Sequence, residues 1–183
     1  MTGKEEYAVV LDFLPHGYPF DRRPMHRKTA IAQAIGKEFL SLLELVPKNE
    51  IFLQPLEEVY IGEGKRDKIH HISGRLELDK LTETAKSELN FVVSDLVEKN
   101  EKKYVEFFNK AGPINMRMHQ IELLPGIGKR HMLEILEIRD QKSFESFEDI
   151  KERVKLIPDP KQSIIRRIIL EMEGKEKHYL FVR

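Results

Sequence analysis

The sequence has neither cysteine nor tryptophan, and its 31 basic residues are balanced by 31 acidic ones. The lack of cysteine excludes disulfides, thiolate metal sites and a cysteine nucleophile, and it fits a reducing compartment. The zero net charge excludes a global field that would draw the chain onto nucleic acid or an anionic membrane. Any contact with nucleic acid must therefore come from a local patch.

Long apolar runs are lacking as well. No run approaches the length of a membrane span, and residues 1–6 have no apolar core of a signal peptide. We therefore expect a cytoplasmic protein without a membrane partner.

Motifs for metal binding and catalysis are also missing. The seven histidines show no paired ligand spacing, and no Gly-x-Ser-x-Gly motif or phosphate loop occurs. Adjacent His70 and His71 in a strand would point to opposite faces, which would prevent them from chelating one ion. We expect no metal, no cofactor and no catalytic residue.

The most informative stretch is residues 121–130, which read Ile-Glu-Leu-Leu-Pro-Gly-Ile-Gly-Lys-Arg. Apolar residues at helical spacing on both sides predict two short helices joined by a tight turn, a helix-hairpin-helix. Gly126 and Gly128 both permit positive φ and leave the backbone uncovered. Ile127 between them is expected to be a buried plug.

This turn predicts a phosphate site. A second helix that begins near Gly128 presents amides without helical partners, and Lys129 and Arg130 stand beside them. Such a site would hold one backbone phosphate and carry no sequence information. The alternative is an ordinary turn whose two cations face water.

The N-terminal part has the pattern of a small β-barrel. Strand-like segments occur at residues 7–14, 39–46, 51–60 and 69–78, whereas residues 30–36 fit either a helical turn or an extended segment. The turn at residues 47–50 predicts that the segments before and after it pair antiparallel. Gly74 inside the last segment predicts a bend, and together these features favour an OB-like barrel.

Two loops of this part are basic. The proline-rich loop at residues 15–28 carries Arg22, Arg23 and Arg27, and the loop at residues 62–68 carries Lys65, Arg66 and Lys68. Each is either a solvated surface loop or a contact with nucleic acid.

The remaining chain is predicted to be mainly helical. Two helices at residues 81–100 and 101–111 form a spacer, and the aromatic residues of the second are interpreted as core. A helix that opens at Ser146 is followed by a degenerate second hairpin, in which Asp159 is the N-cap and Pro160 the first helical residue.

The last apolar residues, 179–182, are predicted to be a strand that returns to the barrel. The expected fold is α+β, with an OB-like barrel at residues 1–80, a helical spacer at 81–112 and a tandem helix-hairpin-helix domain at 113–183.

Several stretches resemble an archaeal family catalogued as domain of unknown function 655. The resemblance covers nearly the whole chain and is carried by these segments: Leu42–Leu45, Val59–Gly62, Phe107–Ala111, His119–Gly128, Ser146–Asp149 and Tyr179–Val182. It implies an RNA-binding protein with an OB-like barrel and a helix-hairpin-helix region, and it brings no catalytic residues.

We therefore expect a non-catalytic protein that binds nucleic acid, RNA in preference to DNA. One alternative is a DNA-junction-binding protein, because the bacterial Holliday-junction-binding proteins also join an OB barrel to two hairpins. Another is a protein–protein scaffold with structural hairpins. A base-excision glycosylase would need a catalytic residue after the hairpin, and the nearest candidate, Asp140, lacks the glycine- and proline-rich loop that precedes it in those enzymes.

Overall fold

The structure is a computed structural model that describes residues 3–183, and it divides into two compact units. The first unit contains residues 3–92 together with Glu171–Arg183, and the second contains Val93–Leu170. The predicted α+β class is confirmed. The division at residues 80 and 112 remains a prediction.

The first unit is built on an antiparallel sheet that curls into a half-barrel. Its strands follow the spatial order β4-β1-β2-β3-β5, and within residues 3–183 no ladder joins β4 to β5. Small and branched side chains, among them Ala8, Val10, Ala34 and Leu45, fill one face. The strands are β1 (Tyr7–Leu14), β2 (Ile31–Gly36), β3 (Leu42–Pro47), β4 (Glu58–Tyr60) and β5 (Ile69–Arg75).

The predicted hairpin between β3 and the segment at residues 51–60 is wrong. β3 pairs with β2 and β5, whereas the later segment forms only the short β4, which pairs with β1. Glu50 and Leu56 adopt φ angles of 63° and 71°, so the chain reverses its direction at two points before β4. Pro55 between them has no amide to donate to a ladder.

The undecided stretch at residues 30–36 contains the central strand β2, all six residues of which are buried. A strand covered on both faces shows no polar alternation, which hides it in the sequence. The buried Gln33 accepts the amide of Thr82 at 2.8 Å and donates to the carbonyl of Lys80 at 3.0 Å. Thr82 in turn caps the following helix through the amide of Ala85.

The helices lie close to the predicted segments. Besides 3-10 helices at Met25–Arg27, Leu78–Lys80 and Gln120–Leu123, the described chain has α1 (Glu83–Lys99), α2 (Glu101–Lys110), α3 (Lys129–Gln141), α4 (Phe147–Arg153) and α5 (Pro160–Met172). A two-stranded ladder of β6 (Pro113–Asn115) and β7 (Met118–His119) precedes the last 3-10 helix. Tyr104 and Phe108 of α2 are buried, as expected of core aromatics.

Residues 179–182 do not form the predicted strand. The segment belongs to the first unit, but one backbone hydrogen bond, from the Arg183 amide to the Phe39 carbonyl at 3.1 Å, takes the place of a ladder. The amides of residues 180, 181 and 182 instead donate to the carboxylate of Glu171. Because these three successive amides already donate to Oε1 of Glu171, they cannot donate to a neighbouring strand.

Candidate functional site

The turn before α3 is tightly constrained. Gly126 has φ +83°, a conformation that L side chains rarely adopt, and a Cβ added there would lie 3.3 Å from the ring of Pro158. The amide of Ile127 donates to the carbonyl of Leu124 at 3.1 Å, and the Ile127 side chain is buried, as predicted. The backbone angle therefore favours glycine at 126, and the space for a Cβ beside Pro158 is tight.

Gly128 has a different role from the one predicted. Its φ of −93° is accessible to any residue, so the expectation of a positive φ there is wrong. A Cβ added at Gly128 would meet nothing within 4 Å. Neither the backbone nor the packing demands glycine at this position, and its effect is to leave the start of α3 uncovered.

The N-terminus of α3 has the properties of an anion site. Gly128 is the N-cap and provides no side-chain acceptor, and the first turn contains no acidic residue. The first intrahelical bond is donated by Met132 to the Gly128 carbonyl at 3.0 Å. The amides before it point along the helix axis without helical acceptors, where the helix dipole favours negative charge.

The N-terminus of α5 shows what such amides do when an anion is present. Asp159 holds the N-cap position, and its Oδ1 accepts hydrogen bonds from the amides of Lys161 at 3.0 Å and Gln162 at 3.2 Å. The predicted cap is therefore confirmed. The two helices share one arrangement, but a carboxylate occupies the amides of α5, whereas no side chain caps those of α3.

Two buried side chains of α5 hold the turn before α3 in place. The hydroxyl of Ser163 donates to the Pro125 carbonyl at 2.9 Å, and Arg167 donates to the Leu123 carbonyl at 3.4 Å. Ser163 and Arg167 are only 2% and 4% exposed. Neither contact could be predicted from the sequence, because contacts with carbonyls distant in sequence leave no local pattern.

The cations beside this turn are exposed. Lys129 and Arg130 make no ion pair within residues 3–183, so both side chains face solvent next to the uncovered amides. Lys161, at the N-terminus of α5, is instead paired with Glu98 at 2.5 Å. The uncapped helix α3 thus begins with two exposed cations, Lys129 and Arg130.

The cations predicted in the first unit fall into two groups. Arg22, Arg27 and Lys65 are exposed and make no ion pair within the described residues. Arg66 donates to the Gly62 carbonyl at 2.8 Å and lines a groove of about 650 Å³ at the edge of the sheet. Lys68 is paired with Glu57.

Arg23 is held within its own loop. Its guanidinium contacts both carboxylate oxygens of Asp21, at 2.7 to 3.1 Å, and holds the pKa of Asp21 at about 2. The predicted basic loop therefore presents Arg22 and Arg27, but not Arg23, as unpaired charges.

His119 caps the 3-10 helix that precedes the turn. Its Nδ1 accepts the amide of Ile121 at 3.2 Å, while its own amide donates to Glu122 at 2.8 Å. Desolvation lowers the pKa of His119, with a further contribution from the positive charge of Arg139. A neutral ring is needed here, since a protonated Nδ1 cannot accept a hydrogen bond.

The two adjacent histidines of β5 do not point apart as predicted. A β-bulge shifts the register between Val46 and Pro47, and the Nδ1 atoms of His70 and His71 lie 2.7 Å from each other. A bulge places an extra residue in one strand and breaks the alternation of side chains. Within residues 3–183, no group of three or more His, Cys, Asp or Glu side chains is arranged to hold a metal ion.

Two further expectations concern single features. Asp140, the candidate for a glycosylase residue, is an exposed residue near the end of α3. None of the helices in the described part of the chain is long and apolar enough to cross a membrane.

Comparison with known proteins identifies the family. The chain is 44% identical over 181 residues to the uncharacterized protein MJ0038 of Methanocaldococcus jannaschii, an alignment that covers 98% of this chain and 80% of that protein. The crystal structure of Af1531 from Archaeoglobus fulgidus superimposes with a TM-score of 0.87 at 46% identity, and covers 98% of this chain and all of the other. The family model described as a protein of unknown function, DUF655, matches residues 4–183. The chain therefore belongs to the DUF655 family, as the sequence motifs indicated.

Proposed function

We propose that this protein binds nucleic acid, with RNA preferred, and that it does so without catalysis. The turn at residues 123–128 and its flanking helices act as a helix-hairpin-helix, and the amides at the start of α3 hold one backbone phosphate. The single observation that carries this proposal is the contrast between Asp159, whose carboxylate caps α5, and Gly128, which leaves α3 uncapped.

The charge around α3 supports the proposal. A phosphate at the helix N-terminus would accept hydrogen bonds from backbone amides and would lie close to Lys129 and Arg130, both of which are exposed. The open space at Gly128 lets a ligand approach the backbone directly. Because such contacts read only the backbone, the hairpin contributes affinity rather than sequence selectivity.

The first unit supports a second contact. We interpret the curled sheet, with its order β4-β1-β2-β3-β5, as an OB-like barrel that is open between its edge strands. Such barrels carry unpaired nucleotides on one face, and Lys65, Arg66, Arg22 and Arg27 supply cations to this unit.

Gly128→Asp tests the phosphate site. The new carboxylate should cap α3 as Asp159 caps α5, which preserves the fold while it fills the anion site with a fixed negative charge. We expect binding of a fluorescently labelled RNA, measured by anisotropy, to weaken by about 1.5–3 kcal/mol, the range for hydrogen bonds to charged groups.

Lys129→Glu tests whether the charge beside the start of α3 contributes to RNA binding, and Lys102→Glu is its matched control. Lys102 is an exposed residue of α2, so the two variants change net charge equally. Lys129→Glu should weaken RNA binding and flatten its salt dependence, and Lys102→Glu should do neither. Equal binding by wild type, Gly128→Asp and Lys129→Glu at low salt would refute the phosphate site.

Parallel titrations with RNA and DNA of one sequence test the preference for RNA. Tighter binding of RNA is expected, and equal affinities would show that no 2′-hydroxyl contact contributes. Binding of a protein partner that barely responds to salt, without any affinity for nucleic acid, would favour the scaffold function.

A further inference from the structure

An exposed aromatic stack stands in the loop between β1 and β2. The rings of Tyr18 and Phe20 are parallel, with an angle of 8° between their planes and 5.0 Å between their centroids. Phe20 is 78% exposed, so the face of its ring that does not touch Tyr18 is open to solvent. Burial in a core does not explain this arrangement.

Two hydrogen bonds fix the position of Tyr18, the less exposed ring of the stack. The hydroxyl of Tyr18 donates to the Glu44 carboxylate at 2.5 Å and accepts from the buried Gln33 amide at 3.2 Å. Burial and the bond to Glu44 raise the pKa of Tyr18 to about 12, so the hydroxyl remains a donor at neutral pH. Phe20 therefore rests on a ring whose position is fixed by two strands of the sheet.

The surroundings of the stack are polar and carry charges of both signs, with the unpaired cations in the β1–β2 loop. Arg22 and Arg27 of the same loop are exposed and make no ion pair in the described chain. Beside Tyr18 opens a cavity of about 310 Å³, lined in part by Thr29, Ser73, the carboxylate of Glu44 and the ion pair of Arg23 with Asp21. An unpaired nucleotide offers a planar base for the exposed ring together with a phosphate for the cations of the loop.

We propose that Phe20 is a stacking platform for a base of an unpaired nucleic-acid strand, with Arg22 and Arg27 close to the flanking phosphates. This inference rests on the proposed binding of nucleic acid and names a residue that sequence reasoning did not identify. Stacking on an aromatic ring is tolerant of sequence, because every base has a π-face. The platform thus complements the hairpin, which holds phosphate.

The chain has no tryptophan, so Phe20→Trp introduces a single fluorescent reporter at the platform. We expect its emission to be quenched as a 12-residue oligouridine RNA is added, with the same midpoint as the anisotropy titration. Phe52→Trp is the matched control, since Phe52 is 75% exposed in the same unit but packs edge-on against Phe13. Its emission should stay unchanged.

Phe20→Leu tests the contribution to affinity. Leucine keeps an apolar side chain but removes the ring, and binding should weaken roughly 5- to 150-fold, the range for loss of one stacked base. Because the side chain is exposed, the melting temperature should not change. Phe20→Trp should retain full affinity.

The outcomes separate this inference from the proposed function. If wild type binds the RNA in the anisotropy titration but Phe20→Trp shows no quenching, or Phe20→Leu binds as tightly as wild type, the platform is wrong and nucleic-acid binding stands. If wild type shows no binding, the proposed function itself fails. Combining Gly128→Asp with Phe20→Trp should weaken affinity while quenching persists at saturating RNA.

Discussion

The carboxylate of Glu171 accepts a hydrogen bond from the backbone amide of Val182 at 3.0 Å. The same oxygen, Oε1, also accepts the amides of residues 180 and 181, and the side chain is only 1% exposed. A buried carboxylate is stable only when its charge is matched by donors, and three successive amides provide them. This side chain thus holds residues 180–182, while the Phe39 carbonyl holds the amide of Arg183.

Replacing Glu171 with Gln should destabilise the first unit. The amide side chain keeps one acceptor but loses the charge, and hydrogen bonds to charged groups contribute about 1.5–3 kcal/mol. We expect a lower midpoint in urea unfolding and faster hydrogen exchange at Leu180 and Val182. Glu173→Gln, at an exposed position two residues later, should leave both measurements unchanged. Slow exchange in the Glu171 variant would contradict this account.

Local patterns predicted the elements that are marked by their own residues. Strand β1 and the helices α1 and α2 lie where periodicity and capping residues placed them. The segment at residues 51–60 was assigned too long a strand and the wrong partner, because turns with positive φ angles at Glu50 and Leu56 redirect the chain before β4. The apolar run at residues 179–182 resembles a strand, but the amides of residues 180–182 donate to the side chain of Glu171 in α5.

The lowered pKa of His119 predicts an acid-sensitive fold. Above the usual pKa of about 6.5, both folded and unfolded chains hold a neutral ring, and the stabilisation by its hydrogen bond is fully present. As the pH falls through that value the unfolded chain takes up a proton that the folded chain resists, so the free energy of unfolding decreases.

His119→Asn isolates this effect. The Asn oxygen can accept the Ile121 amide in place of Nδ1, but it does not titrate. Urea unfolding between pH 7.5 and 5.5 should therefore show a smaller loss of stability in the variant than in wild type. Parallel curves for the two proteins would rule out His119 as the titrating group.

The two glycines of the turn before α3, Gly126 and Gly128, should respond differently to substitution. Gly126→Ala forces a side chain into a left-handed conformation against Pro158, with an expected loss of about 1–2 kcal/mol in the free energy of unfolding. Gly128→Asp should be neutral or stabilising by a few tenths of a kcal/mol, because Asp is a preferred N-cap. Thermal unfolding of both variants measures the difference, and equal destabilisation would mean that Gly128 has a structural role.

The candidate site could be predicted only in part. The Pro-Gly-Ile-Gly stretch locates the turn and the start of α3, because caps and glycines act locally. The state of each cation depends on its partners in space: Lys68 is paired with Glu57, and Arg66 with the Gly62 carbonyl. The role of Phe20 could not be predicted, because nothing in the sequence of a proline-rich loop indicates that its ring lies parallel to that of Tyr18.

The three arginines of the β1–β2 loop should differ in their effect on RNA binding. Arg22 and Arg27 are unpaired within the described chain, so replacing either with Ala should lower the dependence of log affinity on log salt by about 0.7, the value for one phosphate contact on a single strand. Arg23 is already bound to Asp21, and Arg23→Ala should change the slope less. Anisotropy titrations at four salt concentrations provide the comparison. If Arg23→Ala reduced the slope as much as Arg22→Ala, the Asp21 pair would have to open on binding, and if none of the three changed it, the loop would lie outside the interface.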